Sequence, residues 1–107
     1  MLIRPQDKDS IIQIAKDTLK TPCKLLAYGS RVNGEAHDMS DLDIAIISKD
    51  EIKLDISQYI EFKEKLSDSN IPIIVQVFDW YRLPESFHKN ILNNCEEMVR
   101  IGYDKES

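Results

Sequence analysis

Two aspartates, Asp41 and Asp43, stand one residue apart at the start of an apolar run, and this pair constrains the chain more than any other feature. In a β-strand, residues i and i+2 face the same side, so both carboxylates would project together. Unpaired charge beside apolar residues is costly, and two close carboxylates repel unless a cation lies between them. Mg²⁺ (or Mn²⁺) suits such a place, because it takes carboxylate oxygens together with oxygens of a bound phosphate. We therefore predict that Asp41 and Asp43 are metal ligands.

A glycine-serine pair, Gly29-Ser30, ends the preceding apolar segment. Backbone N–H groups at a turn that enters a helix bind phosphate well, and this pair is placed to supply them. Taken alone, it would fit a plain strand-to-helix turn with a serine N-cap. Together with the two aspartates, it favours metal-assisted nucleotidyl transfer. Arg31, the next residue, either contacts phosphate or pairs with a nearby acid.

The composition is that of one small globular domain. The chain has 107 residues, of which 42% are hydrophobic and 31% charged, enough for a single core. We expect one domain over residues 1–107. No apolar stretch approaches the roughly 20 residues of a membrane span, and the N-terminal segment lacks the apolar region of a signal peptide. Cys23 and Cys95 form no ligand motif, so they are expected to be free thiols in the cytoplasm.

The net charge of −5 bears on the choice of partner. An acidic molecule does not attract a phosphate backbone, so a long nucleic acid is an unfavourable partner. The lysines are scattered between acids, as on a solvated helix face. A nucleotide held through metal, or another protein, fits better, and homo-oligomerisation stays open.

Hydrophobic periodicity and chain breakers predict the element order α-β-α-β-α-β-α-β, an α/β (α+β) arrangement. Helices are expected at 5–20, 30–36, 50–67 and 84–94, and strands at 24–28, 41–48, 73–78 and 98–103. Strand 41–48 is apolar on both faces beyond its aspartates, so it is expected inside the sheet. The residues expected to face inward on the last two helices are Ile56, Tyr59, Ile60 and Leu66, then Phe87, Ile91 and Leu92.

The stretch GSRVNGEAHDMSDLDIAI, residues 29–46, resembles the minimal nucleotidyltransferases of the polymerase-β superfamily. Their pattern GSRxxGxAxxxSDxDLxV is matched at almost every defined position with the same spacing. The segment IPIIVQVFDWYRLPESF, residues 71–87, is similar to a strand and helix of the same small proteins. The resemblance implies a nucleotidyltransferase fold, a mixed sheet of about four strands flanked by helices, with no added substrate domain.

This resemblance also implies roles for the matching residues. Gly29, Ser30 and Arg31 would bind the nucleotide, with ATP as the expected substrate. Asp41 and Asp43 would be the catalytic carboxylates and would hold the Mg²⁺ or Mn²⁺ ions that stabilise the attacking and leaving oxygens. Members of this family are often antitoxins of helical HEPN toxins, which implies an acceptor hydroxyl on such a partner.

One position departs from the family pattern. Members usually read V-D-hydrophobic-hydrophobic-D-W at the third strand, and the first of these aspartates is the third catalytic carboxylate. This chain reads VQVFDW, with Gln76 in that place. Glutamine is neutral and cannot act as a base at neutral pH. Asp79 lies three residues further on, so it would face the opposite side of an ideal strand and is expected to cap the following turn.

Two interpretations of Gln76 stay open. The first is a slow enzyme with one metal fully bound and a second held weakly, since losing a general base commonly costs about 10² to 10⁴ in rate. The second is a binding module that keeps the fold and neutralises its partner by contact. The fold alone does not choose between them. A small-molecule (antibiotic) adenylyltransferase is less favoured, because those enzymes usually need an added domain.

Overall fold

The computed structural model describes residues 3–29 and 41–102. The helix predicted at 30–36 and the side chains of Ser30 and Arg31 lie outside these residues. The described elements follow one another as α1 (Pro5–Thr18), β1 (Cys23–Tyr28), β2 (Leu42–Ser48), α2 (Ile56–Ser67), β3 (Val75–Asp79), a short 3-10 turn (Trp80–Arg82), α3 (Glu85–Asn93) and β4 (Cys95–Ile101).

The four strands form one mixed sheet in the order β3-β2-β1-β4. Strand β1 is antiparallel to both β2 and β4, whereas β2 and β3 run parallel. Strand β2 is therefore an interior strand, which confirms the expectation from its apolar sequence. The observed mixed sheet with flanking helices also confirms the predicted fold class.

The larger core lies between the sheet and the two long helices. Helix α1 contributes Ile11 and Ala15, and α2 contributes Phe62 and Leu66, all on one face of the sheet. The opposite face carries a smaller cluster around Leu26, Ala45 and Ile91, in which Ile91 comes from the short helix α3. The two faces are thus covered unequally, and the less covered face is the one that matters for the candidate site.

The structure corrects the expected start of the second long helix. It begins at Ile56, six residues later than predicted, because residues 49–55 form a turn in which Glu51 has a φ of 61°. The Ser48 hydroxyl stabilises this turn by donating to the carbonyl of Ile52 at 2.6 Å and accepting from its N–H at 2.9 Å. Asp55 then caps the helix by accepting from the N–H of Ser57 at 2.8 Å.

The prediction that a residue faces inward is wrong for four residues. Ile56 is 51% and Ile60 47% exposed, because the buried stripe of α2 runs through Phe62 and Leu66. At 100° per residue, Ile60 lies on the side of the helix opposite to Phe62. The other two, on α3, are Phe87 (51% exposed) and Leu92 (59% exposed).

The remaining boundaries agree with the prediction or differ from it by at most three residues. Strand β4 begins at Cys95, three residues earlier than predicted, because it pairs with β1 directly after α3 ends. Strand β3 begins at Val75 and extends to Asp79. In residues 3–29 and 41–102, every helix is too short or too polar to span a lipid bilayer.

Candidate functional site

The predicted aspartates lie at the start of β2, on the less covered face of the sheet. Asp43 pairs with Tyr28 of β1 on one side and with Gln76 of β3 on the other. Residues opposite each other in neighbouring strands project to the same face. The register therefore groups Tyr28, Asp43 and Gln76, and the amide of Gln76 also reaches Asp41.

A hydrogen bond joins Asp41 to Gln76. Nε2 of Gln76 donates to Oδ2 of Asp41 at 2.7 Å. An ionised carboxylate only accepts hydrogen bonds, so the NH₂ end of the amide is the end that faces Asp41. Gln76 therefore stands beside both aspartates, at the position where the resemblance to the family pattern implies a third carboxylate. Residues 3–29 and 41–102 contain no group of three or more His, Cys, Asp or Glu side chains that could hold a metal ion.

Gly29 lies directly against the second aspartate. Its φ is +90°, a left-handed conformation that L side chains rarely adopt. A Cβ at this position would lie 2.7 Å from Oδ2 of Asp43, closer than van der Waals contact allows. The missing side chain thus lets the backbone at the end of β1 approach the carboxylate. In such an arrangement, backbone N–H groups can bind phosphate oxygens while the neighbouring carboxylate binds a cation.

The electrostatics of Asp41 and Asp43 are those expected of a cation-binding site. Burial raises the pKa of Asp43, and the nearby charge of Asp41 raises it further. Burial, with a smaller contribution from Asp43, also raises the pKa of Tyr28 to about 12. In the absence of a cation, the half-buried Asp43 carries its charge at a cost. A divalent ion between the two carboxylates would remove that cost, so the donor set fits such an ion.

Asp79 lies on the opposite face and belongs to the core. Its carboxylate accepts from the N–H of Tyr81 at 3.0 Å, from the N–H of Leu54 at 2.9 Å and from Nε of Arg82 at 3.1 Å. The side chain is fully buried. The prediction that Asp79 caps the turn after β3 is confirmed.

Sequence reasoning missed Tyr28. Its ring lies 6.4 Å from that of Phe78, centroid to centroid, on the same face as the acids. A signal was present in the sequence, because Tyr28 directly precedes Gly29, which was already a candidate nucleotide-binding residue. Recognising it required the register between β1 and β2, which the sequence did not specify.

Residues 9–101 match the family model described as "Polymerase beta, Nucleotidyltransferase". A curated relative from Haemophilus influenzae, named "Probable protein adenylyltransferase MntA", is 43% identical over 65 residues. That alignment covers 61% of this chain and 55% of the relative, so it spans about half of the curated protein.

Solved structures show the same fold at low sequence identity. One is a toxin-antitoxin crystal structure with AMP-PNP, which is 22% identical, has a TM-score of 0.71 and covers 92% of this chain and 77% of its own. Another contains a tri-AMPylated Shewanella oneidensis HEPN toxin in complex with MNT antitoxin. It is 18% identical, has a TM-score of 0.67 and covers 94% of this chain and 76% of its own.

Proposed function

Because this chain belongs to the polymerase-β nucleotidyltransferase family, we propose that it transfers a nucleoside monophosphate, AMP from ATP, to an acceptor hydroxyl. The hydroxyl loses its proton and bonds the α-phosphorus, and the bond to the β-phosphate breaks to release pyrophosphate. The observation that carries the proposal is the close approach of Gly29, directly after β1, to Asp43, whose carboxylate also feels the nearby charge of Asp41. We also propose that residues 1–107 act as one minimal nucleotidyltransferase domain.

Asp41 and Asp43 would hold Mg²⁺ or Mn²⁺, and Gly29, Ser30 and Arg31 would bind the nucleotide. Support comes from the like-charged carboxylate pair and from the absent Cβ at Gly29. When bound, a divalent ion would neutralise phosphate charge and stabilise the attacking and leaving oxygens. The contribution of the chain itself is then to position the nucleotide and to exclude alternative orientations, rather than to form a covalent intermediate.

The proposed acceptor is a hydroxyl, such as that of a tyrosine, on a helical HEPN-type toxin. The relative named as a protein adenylyltransferase and the neighbour with an AMPylated HEPN toxin both support this substrate class. The chain would then act as an antitoxin that inactivates its partner by modification. A cytoplasmic location is part of this proposal and agrees with the free thiols of Cys23 and Cys95.

A second candidate function is favoured by Gln76. The amide is neutral and cannot accept a proton from the attacking hydroxyl at neutral pH. A chain without that base could retain the partner-binding surface while transferring nothing. In this alternative, the protein is an antitoxin that neutralises its toxin by contact alone.

One experiment separates the two functions. The purified chain is incubated with its co-encoded partner, Mg²⁺ and ATP labelled in the α-phosphate, and the label on the partner is measured. Transfer is supported if the partner is labelled by the wild type but not by the Asp41→Asn, Asp43→Asn double variant. The control Asp68→Asn, on the exposed end of α2, should still label the partner. An unlabelled partner in a stable complex contradicts transfer and supports neutralisation by contact.

A further inference from the structure

Asp41, Asp43 and Gln76 form a cluster whose third side chain is an amide with a fixed hydrogen-bond partner. Gln76 pairs with Asp43 across the parallel strands β2 and β3, and its Nε2 donates to Oδ2 of Asp41 at 2.7 Å. The hydrogen bond links residues 35 positions apart in the chain, so it depends on the sheet register rather than on local structure. Gln76 itself is exposed, and its amide therefore lies where a ligand could reach it.

This amide changes both the charge and the geometry of the cluster. A donor beside Asp41 restricts the rotamer of the carboxylate without adding charge. A carboxylate in the same place would instead add a third negative charge beside Asp41 and Asp43. The charge and number of oxygen ligands govern the affinity of a site for divalent cations. An amide at this position therefore favours a cluster that keeps its shape without metal and binds metal less tightly.

We propose that Gln76 is a positioning residue that holds Asp41 in the metal-free chain and limits the cluster to one divalent cation. The proposal rests on the function above insofar as it places a cation at Asp41 and Asp43. It goes further by assigning a cation stoichiometry and by giving Gln76 a role of its own.

The test uses the full chain and Mn²⁺ alone, with no nucleotide and no partner. Free Mn²⁺ is measured by electron paramagnetic resonance during a titration of the wild type and of Gln76→Glu. The wild type is expected to bind one Mn²⁺ per chain. Gln76→Glu is expected to bind the first Mn²⁺ about tenfold tighter or more and to acquire a second ion, because it adds a charged oxygen ligand.

The chain offers a matched control on α1. Nε2 of Gln13 donates to Oδ1 of Asp17 at 3.0 Å, so Gln13→Glu also replaces an exposed amide that bonds a carboxylate. This variant is expected to bind Mn²⁺ as the wild type does. Thermal unfolding gives a second readout: Gln76→Glu should melt below the wild type in EDTA, and Mn²⁺ should reverse that order, whereas no reversal is expected for Gln13→Glu.

The inference is overturned if Gln76→Glu leaves Mn²⁺ affinity and stoichiometry unchanged, or if Gln13→Glu produces the same gain. If Gln76→Glu does not fold, Gln76→Asp makes the same test with a shorter carboxylate. If the chain transfers label but Gln76→Glu does not change Mn²⁺ binding, this inference alone is contradicted. A chain that transfers nothing but shows the Gln76→Glu effect contradicts the proposed transfer alone.

Discussion

Gly29 and Asp43 are in contact across the β1–β2 pair, so closely that a Cβ at residue 29 would lie 2.7 Å from Oδ2 of the aspartate. Two requirements meet at this glycine, because its φ of +90° is also one that side chains rarely adopt. The turn after β1 therefore has room for the Asp43 carboxylate only because residue 29 is glycine. A change at either residue should affect both the stability of the fold and the binding of a divalent cation.

Replacing Gly29 by alanine should lower the free energy of unfolding by about 1–2 kcal/mol, because of backbone strain, and weaken Mn²⁺ binding. Gly102→Ala is the matched control. Gly102 has a φ of +81°, and a Cβ there would lie 3.2 Å from Cα of Pro22, at the other end of β1. Urea unfolding and Mn²⁺ titration should show destabilisation in both variants and weaker binding in Gly29→Ala only. Equal Mn²⁺ binding in the two variants would contradict the assignment.

Ionised Asp43 should cost stability in the metal-free chain. Its pKa is raised by burial and by Asp41, so the stability linked to this group is present below its ordinary pKa of 3.8 and is lost as pH rises through the raised value. At pH 7 in EDTA, Asp43→Asn should therefore be more stable than the wild type by up to about 1 kcal/mol, since partial exposure screens the charge.

Urea unfolding in EDTA and in Mn²⁺ checks this expectation for Asp43→Asn. In Mn²⁺ the order should reverse, because only the wild type gains stability from binding the cation. Asp68→Asn, on the exposed end of α2, should match the wild type in both buffers. An Asp43→Asn variant that is less stable than the wild type in EDTA would contradict the electrostatic account of the site.

Asp79 should be essential to the fold and irrelevant to cation binding. Its buried carboxylate joins Leu54, Tyr81 and Arg82, so Asp79→Asn should cost about 3 kcal/mol or more of unfolding free energy. Asp55→Ala, which removes an exposed helix cap, should cost about 1 kcal/mol. Chemical denaturation measures both. Folded Asp79→Asn should keep wild-type Mn²⁺ affinity, and a loss of that affinity would place Asp79 in the site.

The first turn of α1 should contribute a pH-dependent part of the stability. Arg4 bonds Asp7 through two nitrogens, at 2.7 and 3.0 Å, and this hydrogen-bonded guanidinium lowers the pKa of Asp7. The resulting stability is present above the ordinary pKa of 3.8 and is lost as pH falls through the lowered value. Asp7→Asn should thus melt below the wild type at pH 7, and the difference should become smaller at pH 2.

Asp9→Asn provides the control for this pH dependence, because Asp9 is exposed on the same helix. It should melt with the wild type at both pH values. If Asp7→Asn differs from the wild type equally at pH 7 and pH 2, the ion pair with Arg4 is not the source of the effect.

Local pattern was sufficient for several features. Helix α1 begins at Pro5 as predicted, and β2 is the interior strand that its apolar residues indicate. Asp79 was assigned to the turn from strand alternation and the capping preference of aspartate, and the structure agrees. These features depend on a residue and its near neighbours, whose geometry is set by the fixed periods of helix and strand.

The sequence by itself determined the pair of aspartates, the glycine before them and the neutral residue at position 76. Only the tertiary structure decided that the Gln76 amide bonds Asp41 and that Tyr28 stands beside Asp43, because both facts depend on which residues face each other across strands. It also decided that Phe62, not Ile60, faces the core. Register and helix rotation are set by packing over the whole sheet, and a one-residue shift would place each of these side chains on the other face.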